Sequence, residues 1–208
     1  MKIAIIGATG RAGSRIVSEA LSRNHEVTAI VRNTAKITNP AIKVVEKDIL
    51  ALNTGDLQGY DIVVNAFGAP KELKHLHVET AKHLTALLKN QDKPRLIIVG
   101  GAGSLFVDDN GTELHSTPDF PDAYKITATA MRDELAFLRT VQDVNWTFLS
   151  PSADFAPGER TGQFRLGKDH LLIDKNGNSS ISMEDYSIAL VDEIEKSQHI
   201  KQRFTVGY

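Results

Sequence analysis

Residues 2–13 read KIAIIGATGRAG, an apolar run followed by three glycines at three-residue spacing. The run is typical of a strand buried on both faces of a parallel sheet. In a turn that follows such a strand, glycines allow a tight bend, close approach of a ligand, and close packing of the next helix. Free N–H groups at that helix start attract phosphate. A turn without a ligand is the alternative, but this context favours a dinucleotide site with the candidate residues Gly7, Thr9, Gly10, Arg11, Ala12 and Gly13.

Strand-like and helix-like segments alternate along the rest of the chain. Predicted strands cover residues 2–7, 26–32, 43–49, 60–67, 95–100, 145–150 and 202–206, and predicted helices cover residues 12–24, 72–90, 122–141 and 183–196. We expect Ser182 to cap the last helix through Asp185. This alternation indicates an α/β fold, a Rossmann-type doubly wound parallel sheet with helices on both faces. Residues 1–208 are expected to form one domain with a small C-terminal extension on the substrate side.

The composition argues against several classes of protein. The chain has no cysteine, so it has no disulfide framework, no Cys-ligated metal centre and no thiol nucleophile. Its 24 basic and 26 acidic residues nearly balance, which argues against a broad basic face for nucleic acid. No apolar run approaches the ~18 residues that a membrane helix needs, and no secretory pattern precedes the first strand. We expect a cytoplasmic monomer or homodimer without nucleic-acid or membrane partners.

The end of the second predicted strand indicates the type of dinucleotide. An acidic residue there would bind the ribose 2′-hydroxyl of NAD, but this chain has Arg32. A guanidinium suits a 2′-phosphate, so Arg32 together with Arg11 predicts NADP(H) in preference to NAD(H). A solvated arginine at a strand end is the alternative.

Two further strand ends are expected at the same cleft. Asp48 follows the third strand, where a carboxylate can accept from the adenine amino group while Ile49 lies against the ring. Asp48 could equally cap a turn. Small residues follow the fourth strand, where backbone can border a ribose; the candidates there are Ala66, Phe67 and Gly68.

Together these residues resemble the atypical short-chain dehydrogenases that bind NAD(P), and within them the bacterial NADH-flavin reductase group. The chain is more distantly similar to biliverdin-IXβ/flavin reductase and to nitrogen-metabolite-repressor-like proteins. The matching segments are residues 7–13, Arg32, Asp48-Ile49, and residues 100–105, 117–125, 146–167, 181–193 and 202–208. The resemblance implies that Gly101 binds the cofactor, that Pro151 and Ser152 border the nicotinamide, and that Ser104 is a substrate-facing hydroxyl. A loop serine that caps a backbone group is the alternative for Ser104.

The chain departs from the usual short-chain dehydrogenase at the catalytic dyad. None of its four tyrosines has lysine four residues later, although Tyr124 is followed directly by Lys125. Neighbouring residues do not share a helix face, so this pair is an uncertain substitute for Tyr-x-x-x-Lys. The catalytic candidates are therefore Ser104, Tyr124 and Lys125. Hydride transfer to a flavin needs mainly orientation and electrostatics from the protein.

Two patterns that resemble metal sites are better interpreted otherwise, and we expect no metal site. His75, Glu79 and His83 share a helix face but lack the His-Glu-x-x-His spacing of zinc enzymes. The segment from Asp174 to Asp185 begins like a calcium loop, but Ser179 occupies the glycine position and Asp185 the glutamate position. We predict a hairpin at residues 170–182 instead, with an Asn176-Gly177 turn.

Three functions follow from these features. The leading hypothesis is an NADPH-dependent reductase of a flavin or small quinone-like acceptor, with an acceptor pocket formed by loops 105–123 and 151–169 and the hairpin. The second loop brings Glu159, Arg160 and Phe164 as candidate pocket residues. The alternative is a non-catalytic NADP(H)-sensing regulator that acts through a protein partner. An epimerase or carbonyl reductase is the least favoured because the dyad is missing.

Overall fold

Strand β1 (Lys2–Ile6) lies inside an eight-stranded sheet in the computed structural model of the protein. Ile3 and Ile5 contribute to one apolar core, while Ala4 and Ile6 contribute to a second. Successive side chains of a strand point to opposite faces of the sheet, so a continuous apolar run needs cover on both faces. The structure describes the backbone of residues 1–208 and every side chain except that of Lys71.

Helices provide that cover, as the α/β prediction requires. The helices are α1 (Arg11–Ser22), α2 (Thr54–Leu57), α3 (Leu76–Leu87), α4 (Asp122–Leu138) and α5 (Met183–Lys196). The strands after β1 are β2 (Glu26–Val31), β3 (Lys43–Glu46), β4 (Ile62–Asn65), β5 (Gln91–Val99), β6 (Val144–Ser150), β7 (Asp154–Ala156), β8 (Arg165–Gly167), β9 (Ser180–Ser182) and β10 (Gln202–Gly207). Helices α1 and α5 pack on one face of the sheet, and α3 and α4 pack on the other.

The strand order is β3-β2-β1-β4-β5-β6-β10-β8, and every pair is parallel except β10 with β8. From β1 the chain builds outward to β2 and β3, then returns to place β4 on the other side of β1. Ligands of such sheets bind beyond the carboxyl ends of the strands at this reversal. The predicted Rossmann-type sheet is confirmed, and its reversal lies at the glycine turn that follows β1.

The predicted hairpin at residues 170–182 is wrong. Its turn is present, since Gly177 donates to the carbonyl of Asp174 and has a φ of +84°. The flanking segments pair elsewhere: β9 lies parallel to β7, and His170 forms a bridge with Phe106. The backbone N–H and C=O groups that would pair within a hairpin are thus hydrogen-bonded to segments distant in sequence.

Several element boundaries also differ from prediction. Helix α3 begins at Leu76 rather than at residue 72, and β5 begins at Gln91, where it pairs with Val144. The predicted cap of α5 is confirmed, because Ser182 Oγ accepts from the Asp185 N–H at 2.9 Å. No helix in the described part of the chain has the length and apolar character needed to cross a membrane.

Candidate functional site

The turn between β1 and α1 has backbone approaches so close that a side chain at its first glycine would not fit. Gly7 has a φ of +75°, and a Cβ there would lie 2.5 Å from the carbonyl oxygen of Ala66. Gly10 caps α1 without a side-chain hydrogen bond, so the first N–H groups of the helix are not occupied by a side-chain cap. These groups and the helix dipole favour an anion at this end of the helix. The residues present therefore fit the pyrophosphate of a dinucleotide.

A continuous cleft of about 1100 Å³ extends from this turn along the carboxyl edge of the sheet. Ligand pockets for one small molecule usually occupy ~300–1,000 Å³, so the cleft is large enough for an extended ligand. It is lined by all the predicted cofactor residues except Gly13, namely Gly7, Thr9, Gly10, Arg11, Ala12, Arg32, Asp48, Ile49, Ala66, Phe67, Gly68, Gly101, Pro151 and Ser152. Residues predicted separately, at the ends of different strands, thus line one cleft at the carboxyl edge of the sheet.

Positive charge is concentrated at one end of the cleft. Arg11 and Arg32 both line it with exposed side chains, and neither forms an ion pair with a described side chain. Lys47 lines the same region but is paired with Asp56 at 2.6 Å. Two uncommitted guanidinium groups are suited to bidentate contacts with a phosphate.

Asp48 has the capping role that the sequence allowed, and it also lines the cleft. Its side chain accepts from the Leu50 N–H at 2.9 Å and so caps the short helical turn Ile49–Ala51. The same residue is exposed and lines the cleft. A carboxylate has more acceptor sites than one cap uses, so Asp48 retains the capacity to accept from a ligand.

Aromatic and apolar side chains surround the other end of the cleft. Phe120, Tyr124 and Met131 line it from the segment before α4 and from α4 itself, and Phe155 lines it from β7. The Tyr124 side chain is unusually open for an aromatic residue, at 65% exposed. An open aromatic surface of this kind suits a flat, partly apolar ligand.

The catalytic candidates are not brought together. Tyr124 lines the cleft, but Lys125 does not and forms a surface ion pair with Asp122 at 2.7 Å. Ser104 is only 5% exposed and is not among the lining residues; its hydroxyl accepts from Arg203 Nη1 at 3.3 Å. The Ser104 hydroxyl thus accepts from a buried guanidinium, which differs both from the substrate-facing role and from the backbone cap that the sequence suggested.

Loop 151–169 is attached to two helices behind the cleft. Arg160 makes two hydrogen bonds to the Glu19 carboxylate of α1, at 2.9 and 3.0 Å. Glu184 of α5 accepts from the Gly158 N–H at 2.7 Å. Glu159, Arg160 and Phe164 do not line the cleft, so the loop reaches it only through its first residues, up to Ala156.

The other predicted pocket segments contribute unequally. Loop 105–123 lines the cleft through five residues, Leu114, Thr117, Asp119, Phe120 and Pro121. The segment 170–182 contributes Ser179. Ser152 is one of the residues that line the cleft. Its hydroxyl is already engaged, because it donates to the carbonyl of Val206 at 3.0 Å.

Sequence reasoning missed a pair of polar side chains beside the cleft. His77 of α3 lines the cleft although it is only 4% exposed, and its Nδ1 lies 3.7 Å from Oε2 of Glu134 in α4. Burial, together with the charge of Lys74, lowers the pKa of His77 to about 4, and burial raises the pKa of Glu134 well above its usual range. The available signal was a polar residue, Glu134, on the face of α4 that packs against α3. His77 and Glu134 belong to separate helices, so no spacing in the sequence relates them.

The fold and the site define a protein that binds a nicotinamide dinucleotide in a Rossmann-type domain. Residues 7–196 match the family model described as NAD(P)H-binding, and the chain belongs to this family. A Rossmann-type sheet agrees with membership of a dinucleotide-binding family.

Several similar proteins match along their whole length. The protein YwnB of Bacillus subtilis, named as uncharacterized, is 48% identical over 208 residues, covering 99% of this chain and 98% of YwnB. A solved structure from Streptococcus pneumoniae, called "a putative NADH-flavin reductase", is 44% identical, covers 100% and 99% of the two chains, and has a TM-score of 0.94. Another from Burkholderia pseudomallei, called "Putative exported protein", is 46% identical with complete coverage of both chains and a TM-score of 0.90.

Proposed function

We propose that the protein is an NADPH-dependent oxidoreductase that reduces a flavin or a small quinone-like acceptor. The observation that carries this proposal is the continuity of the cleft, which joins the glycine turn to an open surface around Phe120, Tyr124 and Phe155. A dinucleotide anchored at the turn would extend toward that surface, where a flat acceptor can stack. The name of the S. pneumoniae neighbour agrees with this class of reaction.

The preference for NADPH is proposed from the charge at the phosphate end. Arg32 follows β2 at the position where NAD-specific proteins carry an acidic residue, and Arg11 begins α1 at the same end of the cleft. Charge-assisted contacts to a 2′-phosphate would exceed any contact these groups make to a 2′-hydroxyl. We therefore expect tighter binding of NADP(H) than of NAD(H).

In this mechanism the protein mainly binds and orients. The reduced nicotinamide, when bound, supplies the hydride for the acceptor. The backbone around Gly101 and Pro151 borders the expected nicotinamide position, and the aromatic surface holds the acceptor against it. Such positioning removes much of the entropic barrier to a reaction between two ligands. The mechanism requires no Tyr-x-x-x-Lys dyad, in keeping with the divergence of Tyr124 and Lys125.

The proposal is tested by NADPH oxidation with a panel of FMN, FAD, a naphthoquinone, an aldehyde and a ketone, with NADH in parallel. We expect turnover with a flavin or the quinone, little with the carbonyl compounds, and a higher kcat/KM for NADPH than for NADH. Tight NADPH binding without turnover of any acceptor would instead favour the regulator hypothesis. In that case a protein partner should be captured differently with and without NADPH.

The proposal extends to the location and the assembly of the protein. We propose a cytoplasmic monomer or homodimer that acts on a small molecule, because the reaction draws on a nicotinamide pool. One neighbour bears the word exported, so fractionation of cells that produce the tagged full chain distinguishes the two locations. Light scattering after size-exclusion chromatography measures the assembly.

A further inference from the structure

Glu134 is a buried acid without a hydrogen-bond partner. Its side chain is 1% exposed, and neither carboxyl oxygen has a partner within the described structure. An ionised carboxylate in that position would lose its hydration and gain no compensating donor. Burial accordingly raises the pKa of Glu134 far above its usual range. Glu134 is therefore a neutral carboxylic acid, which has one O–H to donate.

His77 separates this acid from the cleft. Its ring lies against Phe67 at a centroid distance of 6.0 Å, and Nδ1 is its nitrogen nearest to Glu134, at 3.7 Å. The charged neighbour is Lys74, which also lines the cleft and donates to the Ala69 carbonyl at 2.6 Å. Burial and Lys74 hold the pKa of His77 at about 4, so the imidazole is neutral near pH 7.

A neutral imidazole beside a carboxylic acid has a preferred tautomer. Glu134 can donate its O–H only to a nitrogen lone pair, and Nδ1 is the nearer nitrogen. The ring proton must then be on Nε2, which leaves this N–H as the only donor of the ring. A hydrogen bond needs about 2.7–3.2 Å, so rotation about the flexible bonds of Glu134 has to shorten the 3.7 Å separation by about 0.5–1 Å.

We propose that His77 is a further catalytic residue, a neutral Nε2–H donor to the acceptor in the cleft, and that Glu134 is a positioning residue that fixes its tautomer. The inference rests on the proposed reductase function. An acceptor that takes up a hydride gains negative charge on its nitrogen or oxygen atoms, and a preorganised donor at a water-poor wall stabilises that charge. No proton leaves His77 in this role, so no charge has to form on buried Glu134.

Variants of Glu134 separate this role from simple packing. Glu134→Gln keeps an N–H donor toward Nδ1, whereas Glu134→Met keeps a similar length without a donor. Glu79→Met is the matched control for the substitution, because Glu79 is an exposed glutamate of α3, the helix that carries His77. Glu134→Met loses at most the one proposed hydrogen bond to Nδ1, so we expect it to fold like the parent chain, which urea unfolding checks.

The first measurement is ¹⁵N NMR of the histidine side chains in the unliganded full chain, from about pH 6 to about pH 8. We expect a neutral His77 with its proton on Nε2 in the parent, in Glu134→Gln and in Glu79→Met, and a mixture of tautomers in Glu134→Met. A charged ring at pH 6, a proton on Nδ1 in the parent, or one tautomer in all the variants would overturn the positioning role. This readout needs no acceptor, so it stands even where the proposed function fails.

The second measurement is kcat and KM with the best acceptor of the panel. We expect Glu134→Met to lower kcat at least about tenfold, as the loss of a fixed tautomer does in other enzymes, with KM for NADPH unchanged. Glu134→Gln should remain within about threefold, and His77→Phe should lower kcat about 100-fold, the usual effect of losing one such donor. Unchanged kcat in Glu134→Met and His77→Phe, with the expected NMR result, would overturn the catalytic role. Absence of turnover in the parent chain would overturn the reductase function itself.

Discussion

The carbonyl oxygen of Gly7 occupies the space that a side chain of residue 13 would need. A Cβ built on Gly13 would lie 2.2 Å from that oxygen and 2.9 Å from its carbonyl carbon. Carbon and oxygen atoms that are not bonded do not approach so closely, so helix α1 packs against the turn only because residue 13 is glycine. Gly13 does not line the cleft, but its contact fixes the residues that do.

We therefore predict that Gly13→Ala displaces the start of α1. Overpacking of a buried site costs about 1–3 kcal/mol, and the shift also moves the N–H groups that face the phosphate. The free energy of unfolding should fall by that amount, and the Kd for NADPH should rise at least about tenfold, which is about 1.4 kcal/mol. Ser18→Ala, on the exposed face of the same helix, should change neither quantity. Equal NADPH binding by Gly13→Ala would contradict the close packing.

Arg32 should decide between the two nicotinamide dinucleotides. Its side chain lines the cleft without an ion-pair partner among the described side chains, so replacing it disrupts no pair within the protein. A hydrogen bond to a charged group contributes about 1.5–3 kcal/mol, so Arg32→Glu should raise the Kd for NADPH at least about tenfold and leave that for NADH nearly unchanged. Calorimetric titration of both dinucleotides measures this difference.

The matched control for Arg32→Glu is Lys36→Glu. Lys36 is exposed and close in sequence but does not line the cleft, so it makes the same change of net charge away from the site. It should weaken both dinucleotides slightly and equally through the long-range field. Equal losses for NADPH and NADH in Arg32→Glu would show that the 2′-phosphate lies elsewhere.

The residues that line the cleft near the glycine turn were predictable because their signals are local. Gly7, Arg32 and Asp48 each lie at the carboxyl end of a predicted strand, and parallel strands bring these ends to one edge of a sheet. The resemblance to the NADH-flavin reductase group added Pro151 and Ser152, which have no local signal of their own. Both line the cleft in the structure.

The rest depended on contacts between distant residues. The turn after Asp174 was correctly recognised, but the pairing of β9 with β7 is decided by a strand more than twenty residues earlier. Ser104 was assigned from its place after β5, while its hydrogen bond comes from Arg203 near the other end of the chain. His77 and Glu134 lie on separate helices, and no spacing in the sequence relates them.

Asp185 should make the stability of the protein depend on acid pH. Burial alone would raise the pKa of its carboxyl, but hydrogen bonds from Thr161, Gly162 and Tyr208 lower it below the usual value. A lowered folded-state pKa stabilises the protein above the unfolded pKa of about 3.9, and this contribution is lost as the pH falls through the folded-state value. The loop residues Thr161 and Gly162 are attached to α5 through this carboxylate.

We predict that Asp185→Asn lowers the free energy of unfolding by about 1.5–3 kcal/mol at neutral pH, the usual contribution of hydrogen bonds to a charged group. The difference from the parent should shrink below about pH 4, where the carboxyl of the unfolded parent becomes neutral, and level off below the lowered folded-state pKa. Urea unfolding at several pH values measures this difference. Asp154→Asn, at an exposed residue of β7, is the control. A difference that stays constant down to about pH 2 would contradict the charged state of Asp185.

Ser104 is buried and does not line the cleft, and its contacts give a prediction opposite to its sequence assignment. Arg203 donates to both the hydroxyl and the carbonyl of Ser104 at 3.3 Å, and it holds Asp169 at 2.6 Å through Nη2. Ser104→Ala removes one acceptor from a buried guanidinium that keeps its other partners, so the free energy of unfolding should fall by about 1 kcal/mol. The kcat for acceptor reduction should stay within about twofold, since the hydroxyl does not face the ligand. Ser116→Ala, at an exposed serine of loop 105–123, is the control for the effect of a serine-to-alanine substitution on the free energy of unfolding. A kcat about 100-fold lower with unchanged stability would instead place the hydroxyl in contact with the substrate, as the family resemblance implies.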